Sequence, residues 1–404
     1  MSRICMLGHP AAGHTNPTLP IIAELVRRGE QVVYFSSEPF RARVEQTGAE
    51  FRAYGAHELF ERNLSRGGML GGMAGLIGTA ETILPALLEQ VRAVRPDYLL
   101  LEAHAVWGNL VAQIVGVPTV TLSSMLAMNE RLLTSGQLIE HLYGAAPHAH
   151  ALAGLHGLST YFDAARRLCH QYCVNCPGMI NYLGNRQALN IVLTSRDFQI
   201  GGNAFDESYK FVGPSLPEQI EPHRLPLNTS VGQSLIYISL GTMYNDSLEF
   251  YRTCFEAFGR WPAQVVMAVG HRLDRSKLPE PPANFMVRDY VPQLAVLSQA
   301  SLFLTHGGLN SVHEAMYCGV PMVVLPSQAD HHVVANQVHK VGAGVVLNRS
   351  EAAPERLAAL AERVLGDAGF RRKSAAMGQT LRTAGGCKRA ADEILQLKEQ
   401  ERIH

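Results

Sequence analysis

The sequence has no excess of either charge and no long hydrophobic run. Lysine plus arginine and aspartate plus glutamate number 35 each among 404 residues, and charged residues make up 17% of the chain. Because no overall electrostatic field attracts nucleic acid or anionic lipid, we predict neither as a partner. The first apolar stretch, ICMLG, is short, and the apolar region from Tyr98 to Met128 is interrupted by polar residues. We therefore expect a cytoplasmic protein without a signal peptide or membrane span, acting on a small molecule.

Three common cofactor-binding and metal-binding motifs are also missing. No GxGxxG follows the first predicted strand, which disfavours a dinucleotide-dependent dehydrogenase. The segment GHPAAGHT at residues 8–15 matches a P-loop except that His14 replaces the lysine, which disfavours a P-loop hydrolase. Cys169, Cys173 and Cys176 are clustered but contain a single CxxC, so a zinc site is not favoured.

Apolar runs and amphipathic segments alternate along the chain, which is too long for one ordinary core. Runs such as RICMLG, QVVYFSS, DYLLLEA and PTVTLSS are typical of buried parallel strands, and the segments between them of helices. Residues 213–228 contain four prolines and no apolar periodicity, after which the alternation starts again. We predict an α/β protein of two doubly wound, Rossmann-like domains facing across a cleft. The predicted parts are a first domain at 1–212, a linker at 213–232, a second domain at 233–380 and a C-terminal helix at 381–404 that packs back on the first domain.

Two stretches of the first half differ from this alternation. SRGGMLGGMAGLIG has six glycines between residues 67 and 78, which predicts a mobile loop over a site. Residues 132–181 are typical of helices rich in histidine, leucine and tyrosine. Because both stretches are apolar and weakly charged, we expect them to line the pocket of a hydrophobic ligand.

The second half contains the sharper signal, THGGLNSVHEA at residues 305–315. It follows a predicted strand and begins a predicted helix. Gly307 and Gly308 permit a close approach of the backbone to a ligand, and the free N–H groups of a helix N-terminus bind anions such as a diphosphate. His306 can donate a hydrogen bond to the same anion. The alternative is a strand-to-helix turn that requires glycine for its conformation alone.

Other segments of the second half supply polar or aromatic side chains at predicted strand ends. Tyr290 in DYVPQ offers a ring face for stacking on a base. Asp330 and His331 follow the strand PMVVLPS. The loop SLGT at residues 239–242 follows the first strand of this half and can also reach a phosphate.

Residues 289–337 resemble the donor-binding signature of the family 1 nucleotide-sugar glycosyltransferases. The elements PQ, HGGxNSxxE, GVPM and PxxxD occur in the order and spacing of that family. The N-terminal GHPAAGHTNPTLPIIAELVRRG resembles the opening of the same family, particularly its bacterial macrolide and natural-product branch. The resemblance implies a GT-B fold and a UDP-sugar donor bound mainly by the second domain.

The resemblance also assigns the donor-binding residues one by one. They are Tyr290, stacked on the base; Val291 and Gln293 at the base and ribose; Glu314 at the ribose hydroxyls; His306, Gly308, Asn310 and Ser311 at the diphosphate, with Ser239, Gly241 and Thr242; and Asp330 and His331 at the sugar. A glutamine usually follows the acidic residue in this family, and His331 replaces it here. An imidazole lacks the paired donor and acceptor of an amide, which leaves open the sugar and the choice between UDP and TDP.

His14 corresponds to the general base of the family. Deprotonating an alcohol near neutral pH requires a group that titrates there, as histidine does. Glu102 stands where family members commonly have an aspartate that accepts the proton on Nδ1 of the histidine. The alternatives are a strand-end glutamate that faces solvent and a histidine that merely caps its helix.

The implied reaction is a single displacement that inverts the anomeric centre without a metal, since no DxD-like clamp is present. We expect transfer of glucose to a hydroxyl of a hydrophobic macrolide, polyketide or flavonoid, in antibiotic biosynthesis or resistance. Two alternatives stay open. One is a nucleotide-sugar epimerase on the same fold, and the other is an inactive nucleotide-sugar-binding auxiliary protein.

Overall fold

A computed structural model describes residues 1–55, 59, 68–134, 149–176, 184–216, 234–241 and 245–400 of the chain. These residues divide into two compact units. The first consists of Met1–Ser215 and Thr383–His404, and the second of Leu216–Arg382. The linker predicted at 213–232 lies mainly outside the described residues.

The first unit is built on a parallel sheet. In the described part of the chain it has seven strands: β1 (Arg3–Leu7), β2 (Gln31–Ser36), β3 (Glu50–Ala53), β4 (Tyr98–Glu102), β5 (Thr119–Ser123), β6 (Leu189–Val192) and β7 (Tyr209–Phe211). Their order is β3-β2-β1-β4-β5-β6-β7. The strands are apolar on both faces and almost entirely buried, as expected of a parallel sheet covered by helices.

Within the described residues, six helices of the first unit precede its last two strands. They are α1 (Ala12–Arg27), α2 (Arg41–Glu45), α3 (Gly68–Val94), α4 (Gly108–Val115), α5 (Glu130–Thr134) and α6 (Ala149–Tyr172). The longest, α3, packs along α6, and both contribute side chains to one apolar core. No described helix combines the length and apolar character needed to cross a bilayer.

The prediction of a mobile loop at residues 67–78 is wrong for 68–78, which form the first part of α3. Each glycine lowers helix stability by up to about 1 kcal/mol relative to alanine. That cost is offset because the same segment continues into a face that buries Leu76, Ile77 and Ala80 against α6. Tertiary burial therefore decides the conformation that local propensity disfavours.

The second unit repeats this architecture. Its described strands are β8 (Ser234–Ser239), β9 (Ala263–Ala268), β10 (Phe285–Arg288), β11 (Leu302–Thr305), β12 (Met322–Val324) and β13 (Gly344–Val346), in the order β10-β9-β8-β11-β12-β13. Its helices are α7 (Leu248–Phe258), α8 (Gln293–Leu297), α9 (Leu309–Tyr317), α10 (Ala329–Lys340), α11 (Pro354–Gly366) and α12 (Ala368–Thr383). All described strand pairs in both sheets are parallel.

The strand order reverses at an equivalent point in each sheet. In the first sheet β1 lies between β2 and β4, and in the second β8 lies between β9 and β11. Chain connections therefore diverge at the β1/β4 and β8/β11 pairs, which opens a crevice beyond the carboxyl ends of those strands. The predicted fold class, α/β with two doubly wound Rossmann-like units, is confirmed.

The last helix, α13 (Gly386–Gln400), belongs to the first unit and packs on α1. Ala390, Ala391 and Ile394 enter the core beneath β1. Lys398 Nζ lies 2.7 Å from a carboxylate oxygen of the buried Glu30.

Helix α12 holds the C-terminal end of α9 through a close backbone contact at Gly378. A Cβ atom on this buried glycine would lie 1.9 Å from the carbonyl oxygen of Met316. Ser374 Oγ adds a hydrogen bond to the carbonyl of Val320, at 2.9 Å. The position of α9 therefore depends on the absence of a side chain at residue 378.

We predict that Gly378→Ala lowers the free energy of unfolding of the second unit by about 1–3 kcal/mol, because backbone must move to admit the methyl group. Gly366→Ala is the matched control, since a Cβ there has no atom within 4 Å. Urea denaturation followed by fluorescence measures both. Equal stability of the two variants would contradict the close packing of α12 on α9.

Candidate active site

His14 and Glu102 meet at the switch point of the first sheet. His14 lies in the first turn of α1, directly after β1, and Glu102 is the last residue of the neighbouring β4. Nδ1 of His14 lies 2.9 Å from Oε1 of Glu102. The histidine side chain is 19% exposed, whereas the glutamate side chain is fully buried, so Glu102 does not face solvent.

The Glu102 carboxylate accepts hydrogen bonds on both oxygens. Ser124, which follows β5, donates to Oε1 at 2.7 Å and lies 3.0 Å from Nδ1 of His14. The backbone N–H of His104 donates to Oε2 at 2.6 Å. Burial by itself raises the pKa of Glu102, but the charge of His14 and the hydrogen bonds from His104 and His14 hold it well below its usual value. The carboxylate is therefore ionised and fixed in orientation.

The loop before α1 is supported by aromatic side chains. Tyr54 donates its hydroxyl hydrogen to the carbonyl of Gly8 at 2.9 Å, and Trp107 donates to the Tyr54 oxygen at 3.2 Å. A Cβ on Gly8 would lie 2.5 Å from the ring of Tyr34, so glycine is required there for packing. The resemblance of this loop to a P-loop thus arises partly from core packing.

The Asn185 side chain forms hydrogen bonds with the backbone at and after Glu102. It is fully buried and has a positive φ of 45°. Its Nδ2 lies 3.1, 3.2 and 2.8 Å from the carbonyl oxygens of Glu102, Ala103 and Ala105. Its Oδ1 accepts from the backbone N–H of Asn109 at 3.1 Å. One side chain therefore bonds to three backbone carbonyls at and after the end of β4.

In the second unit, the loop after β8 and the loop after β11 meet through His306. A Cβ on Gly241 would lie 2.6 Å from the His306 ring, and one on Gly308 would lie 2.5 Å from it. Gly241 also has a positive φ of 78°, which favours glycine. Both glycines are thus needed to make room for the imidazole between the two loops. Ser239, at the end of β8, is buried.

His306 is a neutral imidazole with an unused polar atom. Burial lowers its pKa to about 3, and its Nδ1 is buried without a hydrogen-bond partner in the described structure. The ring lies beside Gly308, where α9 begins without a side-chain cap among the described residues. A neutral N–H donor and a helix N-terminus are together suited to an anionic ligand.

The His331 ring packs against the His306 ring and is buried, unlike the side chain of its neighbour Asp330. The two imidazole centroids lie 4.6 Å apart with perpendicular planes, and Nδ1 of His331 lies 3.2 Å from Oγ of Ser327. The Asp330 side chain is 45% exposed, and its carboxylate lies 3.7 Å from the His331 ring nitrogen. The predicted sugar-reading pair is therefore divided into one partly exposed carboxylate and one buried ring.

Gln293 and Glu314 form a second polar group in this unit. Gln293 Nε2 donates to Oε2 of Glu314 at 2.8 Å and lies 3.2 Å from Oγ of Ser311. The hydroxyl of Tyr237 donates to Gln293 Oε1 at 3.1 Å. Burial raises the pKa of Glu314 to about 7. Because α8 and α9 each contribute one member, this bond joins the two helices.

The remaining predicted residues lie at the edges of these groups. Tyr290 is 73% exposed, one of the few large apolar side chains of the described chain with a free face, whereas Val291 beside it is buried. Asn310 lies in the first turn of α9 and is half-buried. Thr242 lies outside the described residues.

Sequence reasoning missed three residues that organise these loops: Ser124, Asn185 and Asn245. Asn245 is buried and donates to the carbonyl of Gly241 at 2.8 Å, in the second unit. No motif contains these residues. Ser124 and Asn185 bond to residues distant in sequence, whereas Asn245 bonds to a backbone carbonyl four residues before it. A weak signal existed for Ser124, because it follows a predicted strand beside that of Glu102.

Each unit is thus a doubly wound α/β domain of the nucleotide-binding class, with polar side chains gathered at its switch point. Residues 252–393 match the family model described as the C-terminal domain of erythromycin biosynthesis protein CIII-like proteins. The chain is 34% identical over 401 residues to the NDP-glycosyltransferase YjiC of Bacillus subtilis, covering 97% of this chain and 96% of that protein. It is 31% identical over 410 residues to a protein of the same organism named uncharacterized UDP-glucosyltransferase YojK, covering 99% and 98%.

The solved structure of the calicheamicin glycosyltransferase CalG4 has a TM-score of 0.81 and 28% identity over 99% of both chains. The chain therefore belongs to the family 1 nucleotide-sugar glycosyltransferases, in the natural-product branch. It is a glycosyltransferase of the GT-B fold. The resemblance inferred from the sequence motifs is confirmed.

We predict that Asn185→Ala lowers the free energy of unfolding by about 2–4 kcal/mol, because it removes hydrogen bonds to three backbone carbonyls and leaves the N–H of Asn109 without its acceptor. Asn185→Gly separates the two causes, since glycine tolerates the positive φ but cannot form the hydrogen bonds. Asn203→Ala, at an exposed asparagine of the same unit, is the control. Thermal unfolding measures all three variants. A loss for Asn185→Ala that Asn185→Gly fully recovers would show that backbone strain, not hydrogen bonding, dominates.

We predict that the contribution of Glu314 to the free energy of unfolding decreases as the pH rises from about 4.5 to about 7. The unfolded carboxyl loses its proton near 4.5 while the folded one keeps it to about 7, so the native state binds more protons in this window. The stability of the native protein should fall relative to Glu314→Gln by about 1–3 kcal/mol across the window and stay level above it. Urea titrations at several pH values measure the difference. Parallel curves for the two proteins would rule this out.

Proposed function

We propose that this glycosyltransferase moves glucose from UDP-glucose to a hydroxyl of a hydrophobic natural product, with inversion at the anomeric carbon and without a metal. The observation that carries the proposal is the hydrogen bond between His14 and the buried carboxylate of Glu102. A carboxylate at Nδ1 keeps the ring proton on that nitrogen and puts the lone pair on Nε2. It also stabilises the imidazolium that forms when the ring accepts a proton.

In the proposed reaction, Nε2 of His14 takes the proton of the acceptor hydroxyl as the oxygen attacks the anomeric carbon. The bond between that carbon and the diphosphate oxygen breaks on the opposite face, and its electron pair leaves with UDP. One proton moves to His14 and one negative charge develops on the diphosphate. Charge neutralisation along the Glu102–His14 pair and at the diphosphate lowers the barrier.

The donor is proposed to bind to the second unit. Tyr290 has the exposed ring face that base stacking needs. Glu314, held by Gln293, is positioned to accept from the ribose hydroxyls. The N–H groups at the start of α9 and the neutral His306 are proposed to bind the diphosphate, where preorganised donors act on the charge that develops.

The recognition of the sugar and the class of the acceptor are also proposed. Asp330 is partly exposed and free to accept from sugar hydroxyls, whereas His331 supports His306 from within. We therefore propose that the sugar is read by Asp330 without the usual amide. A hydrophobic natural-product acceptor is supported by the match to erythromycin biosynthesis proteins and by the likeness to a calicheamicin glycosyltransferase.

The test combines a substrate screen with substitutions at the base. UDP-glucose and TDP-glucose are incubated with a panel of macrolides, polyketides and flavonoids, and products are measured by mass spectrometry together with released UDP. A glycoside formed in equal amount to UDP supports transfer. A changed nucleotide sugar without acceptor would indicate an epimerase, and binding without any product an inactive auxiliary protein.

We predict that His14→Ala lowers kcat by about 100- to 10,000-fold with little change in the donor KM, because only proton transfer is lost. Glu102→Gln should lower kcat by a smaller factor, since the amide cannot stabilise the imidazolium. His170→Ala, at an exposed histidine of the same unit, is the control. A His14→Ala enzyme as fast as the parent would falsify the assignment of the base.

A further inference from the structure

His14, Glu102 and His104 bring two imidazoles and one carboxylate to a single point. One ligand atom from each side chain lies within 4.8 Å of the other two. Among the described residues this is the one such group of three or more histidine, cysteine or acidic side chains. The proposed reaction uses His14 and Glu102 but gives the His104 imidazole no task.

The His104 ring has a nitrogen that lacks a hydrogen bond. Its Nδ1 is buried and unpartnered in the described structure, at 3.8 Å from Oε1 of Glu102. That distance is too long for a hydrogen bond. The rest of the ring is 29% exposed, so solutes can reach the group from solvent.

Glu102 is a buried anion that is not paired with a permanent cation. Its ion pairs within the described chain are with His14 and His104, and no lysine or arginine joins them. Hydrogen bonds from the Ser124 hydroxyl and from the backbone N–H of His104 fix the orientation of the carboxylate. In metal sites such outer hydrogen bonds hold a carboxylate ligand in place.

The two distances from the carboxylate lie on either side of the ligand spacing around a small divalent ion. Zinc binds nitrogen and oxygen at about 2.0–2.2 Å, which places tetrahedral ligand atoms about 3.3 Å apart. Here Oε1 of Glu102 lies 2.9 Å from Nδ1 of His14 and 3.8 Å from Nδ1 of His104. Two histidines and one glutamate, with a fourth position left to water, are also the ligand set of an open zinc site.

We infer that His14, Glu102 and His104 bind a zinc-class divalent ion, and that its binding switches the glycosyl transfer off. The inhibitory part rests on the proposed function, because it requires His14 to be the base. An ion on Nδ1 of His14 displaces the proton that this nitrogen otherwise donates to Glu102. The ring takes up one proton on Nε2 through solvent as the Nδ1 proton leaves, so it stays neutral and no net proton is released. With Nε2 protonated, no lone pair remains for the acceptor hydroxyl.

The nitrogen-rich ligand set also sets the choice of ion. Imidazole suits Zn²⁺, Cu²⁺, Ni²⁺ and Co²⁺, whereas Mg²⁺ and Ca²⁺ prefer a shell of oxygen ligands. We therefore expect Zn²⁺ to bind and inhibit at concentrations where Mg²⁺ has no effect.

The binding test uses the full, tag-free chain after treatment with a chelator. Calorimetric titration with Zn²⁺ should show one site, and Co²⁺ should give visible absorption bands typical of low coordination number. His104→Gln removes one ligand but keeps the backbone N–H on Glu102, and it should weaken Zn²⁺ binding at least about tenfold. His170→Gln, at an exposed histidine of the same unit, should leave the affinity unchanged. Equal affinity of the parent and His104→Gln overturns the site.

The inhibition test separates the site from the base assignment. Zn²⁺ should inhibit the parent at the concentration at which it binds, a chelator should restore the rate, and His104→Gln should need at least about tenfold more Zn²⁺. Zn²⁺ that binds at this site without slowing transfer overturns the switch. If His14→Ala keeps full activity while His104→Gln still loses Zn²⁺, the proposed base fails and the metal site stands.

Discussion

The first unit depends on keeping one ionised carboxylate in its interior. Burying Glu102 removes it from water, which is unfavourable unless each oxygen finds a donor. Ser124, His14 and the backbone of His104 supply those donors, and they come from the chain that follows β5, β1 and β4. The single charge therefore fixes three loops at the edge of the sheet. It also fixes the face of the His14 ring, because Nδ1 is the nitrogen that meets the carboxylate.

In the second unit, glycine residues rather than a buried charge determine how the loops at the switch point pack together. Its loops follow β8, β11 and β12, the counterparts of β1, β4 and β5 in strand order. A neutral imidazole, His306, lies between Gly241 and Gly308, and His331 from the third loop packs on it. The repeated topology thus gathers polar side chains at the same place in both sheets, because the switch point is where connections diverge. Different side chains then give the proposed proton acceptor in one unit and the proposed anion-binding group in the other.

The same arrangement that suits a base also suits a metal ion. A neutral imidazole beside a carboxylate offers a lone pair, and a proton and a divalent ion compete for such ligands. A lysine or arginine paired with Glu102 would repel a metal ion, but none pairs with it in the described chain. His104 completes the proposed ligand set, since its backbone N–H bonds to the carboxylate while its Nδ1 is unpartnered. The proposed catalysis and the proposed metal binding thus depend on one buried charge.

The family resemblance made His14 and Glu102 candidate residues, and the glycine pair after a predicted strand made the HGG segment one. Local patterns in the sequence predicted most strands and most helices, because apolar periodicity and glycine turns are local signals, but not β3, β6, β7 and β13. They failed at residues 68–78, where burial of Leu76 and Ile77 against α6 outweighs the low helix propensity of glycine. Ser124 and Asn185 were missed because each bonds to groups brought near only by folding, and Asn245 because no motif marks its bond to Gly241. The sequence by itself determined the fold class, the family and the chemical types at the site. Only the tertiary structure decided that Glu102 is buried, that His331 turns inward and that His104 joins the pair, since burial and distance are properties of the packed chain.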